Sequence, residues 1–266
     1  MKMAAWLNKL GVVHLLLNKL GLRYVVTWLL HRLPLVRRLP GGTRYRIRHV
    51  ESFILANEVF DMQVYEAAIP RDITTFVDIG CNTGFFCALV ADRTGNRALR
   101  GLAIDANREM TEEATWLLRA NALDGIVAVH GMVGAPGATQ PEAFYISDSH
   151  IISSRFPQGE PGLPQKGRWH RVEVPGVDVE QLWRQHVGSQ RCQLAKIDIE
   201  GGENDFVVPG NPFFARVDSI LLEWHDWIVS RHEMTARLQE MGFMLAATLE
   251  DLPTRGVGLY KRRETE

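Results

Sequence analysis

Three short stretches of this chain set polar residues at strand spacing. VDIGCNTG carries Asp78, Gly80, Asn82 and Gly84, each two residues from the next. KIDIEGGE carries Lys196, Asp198 and Glu200 in the same alternation, and LLEWHD places Glu223 and His225 two apart. In the last two stretches a period of two puts such residues on one face of a strand. Charges buried there are costly unless they are paired or open onto a polar cleft. The residue types suit two tasks. Gly80 permits a tight turn and Gly84 a close backbone approach, as in strand–turn–helix sites for nucleotide-like ligands. Carboxylates near a histidine, whose unperturbed pKa is ~6.5, suit proton removal near neutral pH.

Asp105 narrows the ligand. It lies 21 residues after Gly84 and ends the predicted strand LRGLAID, where an acid accepts hydrogen bonds from ribose hydroxyls. A dinucleotide fingerprint, G-x-G-x-x-G, needs glycine at position 82, which is Asn82. Asp78, just before the turn, would repel a pyrophosphate and favours a ligand with a positive centre. S-adenosylmethionine meets these requirements with a sulfonium, an amino group and a ribose, and no phosphate. The plainer alternatives are an ordinary strand–turn–helix and, for KIDIEGGE, a solvated edge strand. Against the edge stands its apolar lead-in.

The elements that position these residues follow from periodicity. ITTFVDIG, LRGLAID and GIVAVHG read as strands, FFCALVADRTG as a helix closed by Gly95, and Asn107 as the cap of a helix through Asn121 that Gly125 closes. Further on, RVEVP, CQLAKIDIE, SILLEWH, FMLAATL and GVGLYKR read as strands, with helices over Val177–His186 and around Met234–Met241. Such alternation predicts an α/β fold, a parallel sheet covered on both faces. Residues 131–171 interrupt it with six glycines and five prolines, which predicts a long loop on the substrate side, functional or disordered. NPFF, Asn211 to Phe214, is reminiscent of an amino-methyltransferase signature but follows Asp198 by thirteen residues, so it reads as a turn before two core aromatics.

In order, FVDIGCNTGFF, AIDANREM and KIDIEGGE resemble the motifs of the FkbM-type family of class I S-adenosylmethionine-dependent methyltransferases. The likeness spans residues 45 to 260, including YRIRHVESFILANEVF. It implies a Rossmann-like, mostly parallel seven-stranded sheet whose last strand is antiparallel, with helices on both faces. It also implies that Asp78, Gly80, Asn82 and Gly84, with Cys81 among them, line the methionine end of the cofactor, that Asp105 holds the ribose, and that Met132 or Val133 flanks the adenine. The first and fourth strands of such a sheet flank the switch in strand order, which sends Asp198 and Glu200 into the cleft beside Asp78. Lys196 lies deeper and offsets their charge.

The expected activity is therefore S-adenosylmethionine-dependent O-methylation of a hydroxyl on a small molecule, a sugar or a lipid-linked secondary metabolite. His225 is the nominated base, oriented by Glu200 or Glu223, and His150 in the long loop competes for the role. Asp198, Glu200 and Glu223 could instead hold Mg²⁺; neither spacing nor family pattern requires a metal, and none is assigned. A nicotinamide-dependent oxidoreductase and a membrane-attached, non-catalytic binding protein are the alternative functions.

The net charge of −1 conceals a division of the chain. Residues 1–50 contain ten Lys and Arg and no acid, leaving the remainder at −11. Residues 1–44 are expected to form a basic amphipathic helical extension of a methyltransferase domain over 45–266. LNKLG occurs twice in it, and Lys19, Arg23, Thr27 and His31 recur at i, i+4, leaving Leu22, Val25, Val26, Leu29 and Leu30 on an apolar side. That side either caps the main domain or gives residues 1–40 a peripheral membrane contact. The apolar runs are cut by basic residues, so no transmembrane helix or secretory signal is expected. Three cysteines without metal spacing fit reduced thiols in a cytoplasmic setting. No nucleic-acid motif is present, so the expected partner is a small-molecule or glycolipid acceptor.

Overall fold

The computed structural model describes residues 22–147, 153–156, 169–226 and 230–263. Both LNKLG repeats and His150 lie outside them. In chain order the elements are α1 (Arg23–Arg32), β1 (Leu35–Arg38), β2 (Arg44–Ile47) and α2 (Ser52–Ala56), which runs into a π-helical turn. Next come β3 (Thr75–Ile79), α3 (Phe85–Thr94), β4 (Arg100–Asp105), α4 (Arg108–Ala120) and β5 (Ile126–His130). β6 (Met132–Val133), β7 (Glu142–Ser147), β8 (Trp169–Val174), β9 (Gly176–Val177) and α5 (Val179–His186) follow. The chain ends with β10 (Leu194–Ile197), α6 (Glu203–Phe206), β11 (Ser219–His225), α7 (Arg231–Glu240), β12 (Phe243–Asp251) and β13 (Arg255–Arg262).

Seven strands form one sheet in the order β12-β13-β11-β10-β3-β4-β5. β3, β4, β5, β10 and β11 are parallel, while β13 runs antiparallel between β11 and β12. Alternation divides the core between the two faces. Phe76, Ala103, Leu194 and Leu221 belong to one apolar cluster, and Val77, Ile79, Leu102, Ala195 and Leu222 to the other. Both faces are therefore dry, which is why these strands read as near-continuous apolar runs. The order reverses between β3 and β10, whose register sets Lys196 opposite Asp78.

Helix ends follow local chemistry. The Asn107 side chain caps α4 by accepting from the Glu109 N–H at 3.0 Å, and α3 closes on Gly95 at φ +65°. α4 ends at Asn121 and Ala122 (φ +52°) rather than at Gly125. The NPFF stretch is the expected turn: Asn211 accepts from Phe213 N–H and both phenylalanines are buried.

Two expectations need revision. The 131–171 segment is not simply a loop, since β7 pairs antiparallel with β8; glycines and prolines around AFYIS hid a strand of ordinary β-forming residues. The extension is helical over α1, but β1 and β2 then pair as a hairpin that straddles residue 44. The hairpin is fastened to the domain by Gly41 and Thr43 N–H donation to Asp92, and by Arg46 and Arg48 on Glu113 at 2.7 Å.

Candidate active site

A cavity of about 500 Å³ opens at the C-terminal ends of β3, β4, β10 and β11. Gly80, Cys81, Asn82, Asp105, Met132, Val133, Lys196, Asp198, Glu200, Glu223 and His225 all line it. Asp78 and Gly84 do not. Asp78 is wholly buried beneath the floor, and Gly84 backs onto α4, where a Cβ would stand 3.2 Å from Ala114 Cα.

The turn after β3 is strapped to the end of β4. Gly80 and Cys81 donate N–H to Ile104 O at 2.8 and 3.0 Å. Asn82, in the left-handed region at φ +47°, donates its N–H to Asp105 Oδ2 at 2.7 Å, and Asn107 donates to Oδ1 at 2.7 Å. Each carboxylate oxygen keeps a second lone pair for a ligand hydroxyl. Burial pushes Asp105 up to about 6, against the pull of those two N–H groups. Gly80 has no substitute, because at φ +79° a Cβ would fall 1.6 Å from Asp198 O.

Lys196 bridges the two central strands. Its Nζ lies 3.2 Å from Asp198 Oδ2, 3.2 Å from Gly80 O and 3.5 Å from Asp78 Oδ1. It is level with Asp78, not deeper than the carboxylates as a group. Burial works against its charge, but Asp198 and Asp78 hold it above the ordinary lysine range. Burial lifts Asp78 to about 6 despite Lys196. For Asp198, burial is outweighed by Lys196 and His225, so this carboxyl lies below its usual value.

Glu200 reaches the cavity by a route that strand alternation does not describe. β10 ends at Ile197, and Glu200 sits in the following turn at φ +50°, ahead of Gly201 at φ +95°. Its Oε2 lies 3.6 Å from His225 Nε2, while His225 Nδ1 lies 3.4 Å from Glu203 Oε1. Glu203, which the sequence analysis did not single out, is the second carboxylate on His225. Glu223, the other nominated partner, instead accepts from Tyr65 OH at 3.3 Å and Arg255 at 3.2 Å. Burial opposes charge on His225, yet Glu200 and Glu203 raise its pKa well above that of a free imidazole. Burial brings Glu200 up to about 7, with His225 pulling the other way. Tyr65, Glu58 and Arg255 also line this end; all three lie outside the polar stretches, and only the register of His225 with Arg255 brings that arginine in.

The trio Asp198, Glu200 and Glu223 is not a ligand cluster. Among the described residues, the donor atoms of Asp198, Glu203 and His225 do fall within 4.8 Å of one another. Lys196 on Asp198, and the Ile199 and Gly201 N–H groups on Glu203 at 2.8 Å, already occupy those carboxylates.

The sheet order and a carboxylate-lined cleft at its switch point define the class I methyltransferase architecture. The methyltransferase FkbM domain model matches residues 78–245, and the chain belongs to that family. No curated protein matches the chain. Among solved structures it is similar to the mitomycin 7-O-methyltransferase MmcR at 14% identity and TM-score 0.42, covering 79% of this chain and 54% of that one. It is likewise similar to a SAM-dependent methyltransferase from Aquifex aeolicus, at 12% identity, 77% and 91% coverage and TM-score 0.44. A third similar structure is M. capricolum TrmK with S-adenosyl-homocysteine, at 8% identity, 77% and 69% coverage and TM-score 0.46. The chain thus spans about half the length of MmcR.

S-adenosylmethionine is the cofactor of this methyltransferase family, and the residues present fit it. Asp105 lines the cavity at the end of β4 and retains acceptor capacity beyond the Asn82 and Asn107 N–H groups. Among the described residues no helix is long and apolar enough to cross a membrane.

Proposed function

We propose that the protein is an O-methyltransferase in which Glu200 takes the acceptor's proton and His225 positions it. The observation that carries this is the placement of His225 between Glu200 and Glu203, at 3.6 and 3.4 Å, on the cavity wall. Bound S-adenosylmethionine would supply an electrophilic methyl group. Asp105, Asn82 and the backbone of Gly80 and Cys81 would hold its nucleoside and amino-acid parts, with Met132 or Val133 beside the base. An acceptor hydroxyl that gains a methyl must lose its proton as the bond forms, and a base matched to the working pH is most effective.

Two carboxylates hold His225 protonated near neutral pH, so it is a poor proton acceptor there. Glu200, brought up to about 7, is ionised above that value and matched to the task. The roles assigned from sequence are thereby exchanged: His225 lowers the pKa of Glu200 and fixes its direction. Glu223 stays with Tyr65 and Arg255 and shapes the acceptor side. Apolar Ile54, Leu55 and Phe144 in the lining of the same cavity suit an acceptor that has an apolar body beside its hydroxyl, such as a lipid-linked or secondary metabolite.

The test is methyl transfer from radiolabelled S-adenosylmethionine to panels of hydroxyl and amine acceptors, with wild type and Glu200→Gln. Transfer to hydroxyls that depends on Glu200 is the expected result. Transfer confined to amines, or equal rates in both proteins, would overturn the proposal.

A further inference from the structure

Helix α1 is mounted with most of its apolar side outward. Arg23 and His31, on its polar ridge, face the protein. Arg23 pairs with Glu51 at 2.5 Å. His31 meets His49 edge-on with ring centroids 4.6 Å apart and lies 3.7 Å from Glu109. The opposite half of the helix exposes Leu22, Val25, Trp28 and Leu29, and the turn after it exposes Leu33, at 76%. No residue of α1 is fully buried. A helix serving only as a cap would turn its whole apolar stripe to the core; here Leu30 packs against the domain core and Val26 is half-buried, while the rest of the stripe stays exposed. Eight of the eleven exposed large hydrophobics among the described residues fall between Leu22 and Val36, a concentration that marks an interaction surface.

We infer that this face docks on an anionic lipid bilayer. Charge selects the occupant. Arg23, Arg46 and Arg48 are engaged with Glu51 and Glu113, but Arg32, Arg37 and Arg38 are exposed beside the apolar face. Arg32 also lies over the Trp28 ring, 4.5 Å from its centroid. Exposed aromatic and aliphatic side chains and arginines in a stretch of chain, residues 22–50, that contains no acid match the boundary between headgroups and acyl chains. A second copy of the chain would bring the same patch, and the same arginines, against itself. Residues 1–21 carry three lysines and no acid, so they too offer this face no complementary charge. The anchors of α1, His49 and Glu51, belong to the segment leading into α2, whose Ile54 and Leu55 line the cavity. Docking would therefore set that cavity wall close to the lipid surface.

Flotation of the full chain with vesicles of phosphatidylcholine, with and without phosphatidylglycerol, tests this. Binding should require the anionic lipid and weaken as salt is raised. Trp28→Glu with Leu33→Glu should reduce binding at least ~tenfold while S-adenosylhomocysteine binding and melting temperature hold, which keeps this outcome separate from the catalytic proposal. No flotation, or equal flotation of parent and variant, would overturn the inference. So would a parent dimer that the variant makes monomeric, which would assign the face to a second copy. A variant that melts well below the parent would overturn it too, by showing that residues 1–21 cover the face.

Discussion

Glu203 faces His225 across the ends of β10 and β11, Oε1 to Nδ1 3.4 Å, with both side chains almost wholly buried. The same carboxylate accepts from Ile199 and Gly201 N–H at 2.8 Å each, the residues on either side of Glu200. One acid thus fixes both the imidazole and the turn that aims Glu200 at it. The left-handed backbone of Glu200, costly for a residue with a side chain, is held by these bonds.

Glu200→Gln should lower kcat by ~10²–10⁴, the span of a lost general base, with S-adenosylhomocysteine affinity within about threefold of wild type in calorimetry. Wild-type kcat/KM should rise with pH through about 7, and this limb should vanish in the variant. The same group bears on stability. Its pKa rises from 4.5 to about 7 on folding, so the folded state binds the extra proton and apo stability falls as pH rises between those values. Glutamine should flatten that slope in urea titrations.

His225→Gln tests the exchange of roles. His225 pulls the Glu200 pKa down, so its loss should move the kcat/KM limb above about 7 and leave a limb to measure. If His225 were itself the base, the limb would disappear instead.

Much of the cavity wall was legible because its residues sit at or near the ends of parallel strands, with Glu223 and His225 two apart on β11, Lys196 on β10 and Asp105 at the end of β4; Asp78, read the same way, lies beneath the floor. Glu200 escaped that rule because β10 stops at Ile197 and a left-handed turn, not alternation, directs it. Glu203 escaped because its partner is distant in sequence and reached only through the β10–β11 pairing. The outward face of α1 was illegible for another reason. Helical periodicity separates an apolar from a polar side but does not say which side the domain takes, and here Glu51, His49 and Glu109 claim the polar one.

Asp105→Ala should weaken S-adenosylhomocysteine binding by at least ~tenfold, since a hydrogen bond to a charged group contributes about 1.5–3 kcal/mol. It also strips the Asn82 and Asn107 N–H groups of their acceptor, so the melting temperature should fall. In the wild type, affinity should decline as pH drops through about 6, where this carboxyl takes up its proton. Calorimetry across that range decides it; pH-independent affinity would remove Asp105 from the cofactor site.

Lys196→Met should cost about 3–5 kcal/mol at pH 7.5, the scale of breaking a buried ion pair, because Asp78 and Asp198 lose their common cation. The deficit should depend on pH with a definite sign. Without Lys196 both carboxyls bind protons more tightly in the folded state, and the Asp78 pKa moves up from about 6. A group raised on folding gives stability that is present below its unfolded value, 3.8 for Asp78, and lost as pH rises through the folded one. The variant's deficit should therefore shrink between pH 7.5 and pH 5, and Asp78→Asn added to Lys196→Met should recover part of it at pH 7.5. Equal deficits at the two pH values in urea denaturation would show that Lys196 contributes through packing and not through charge.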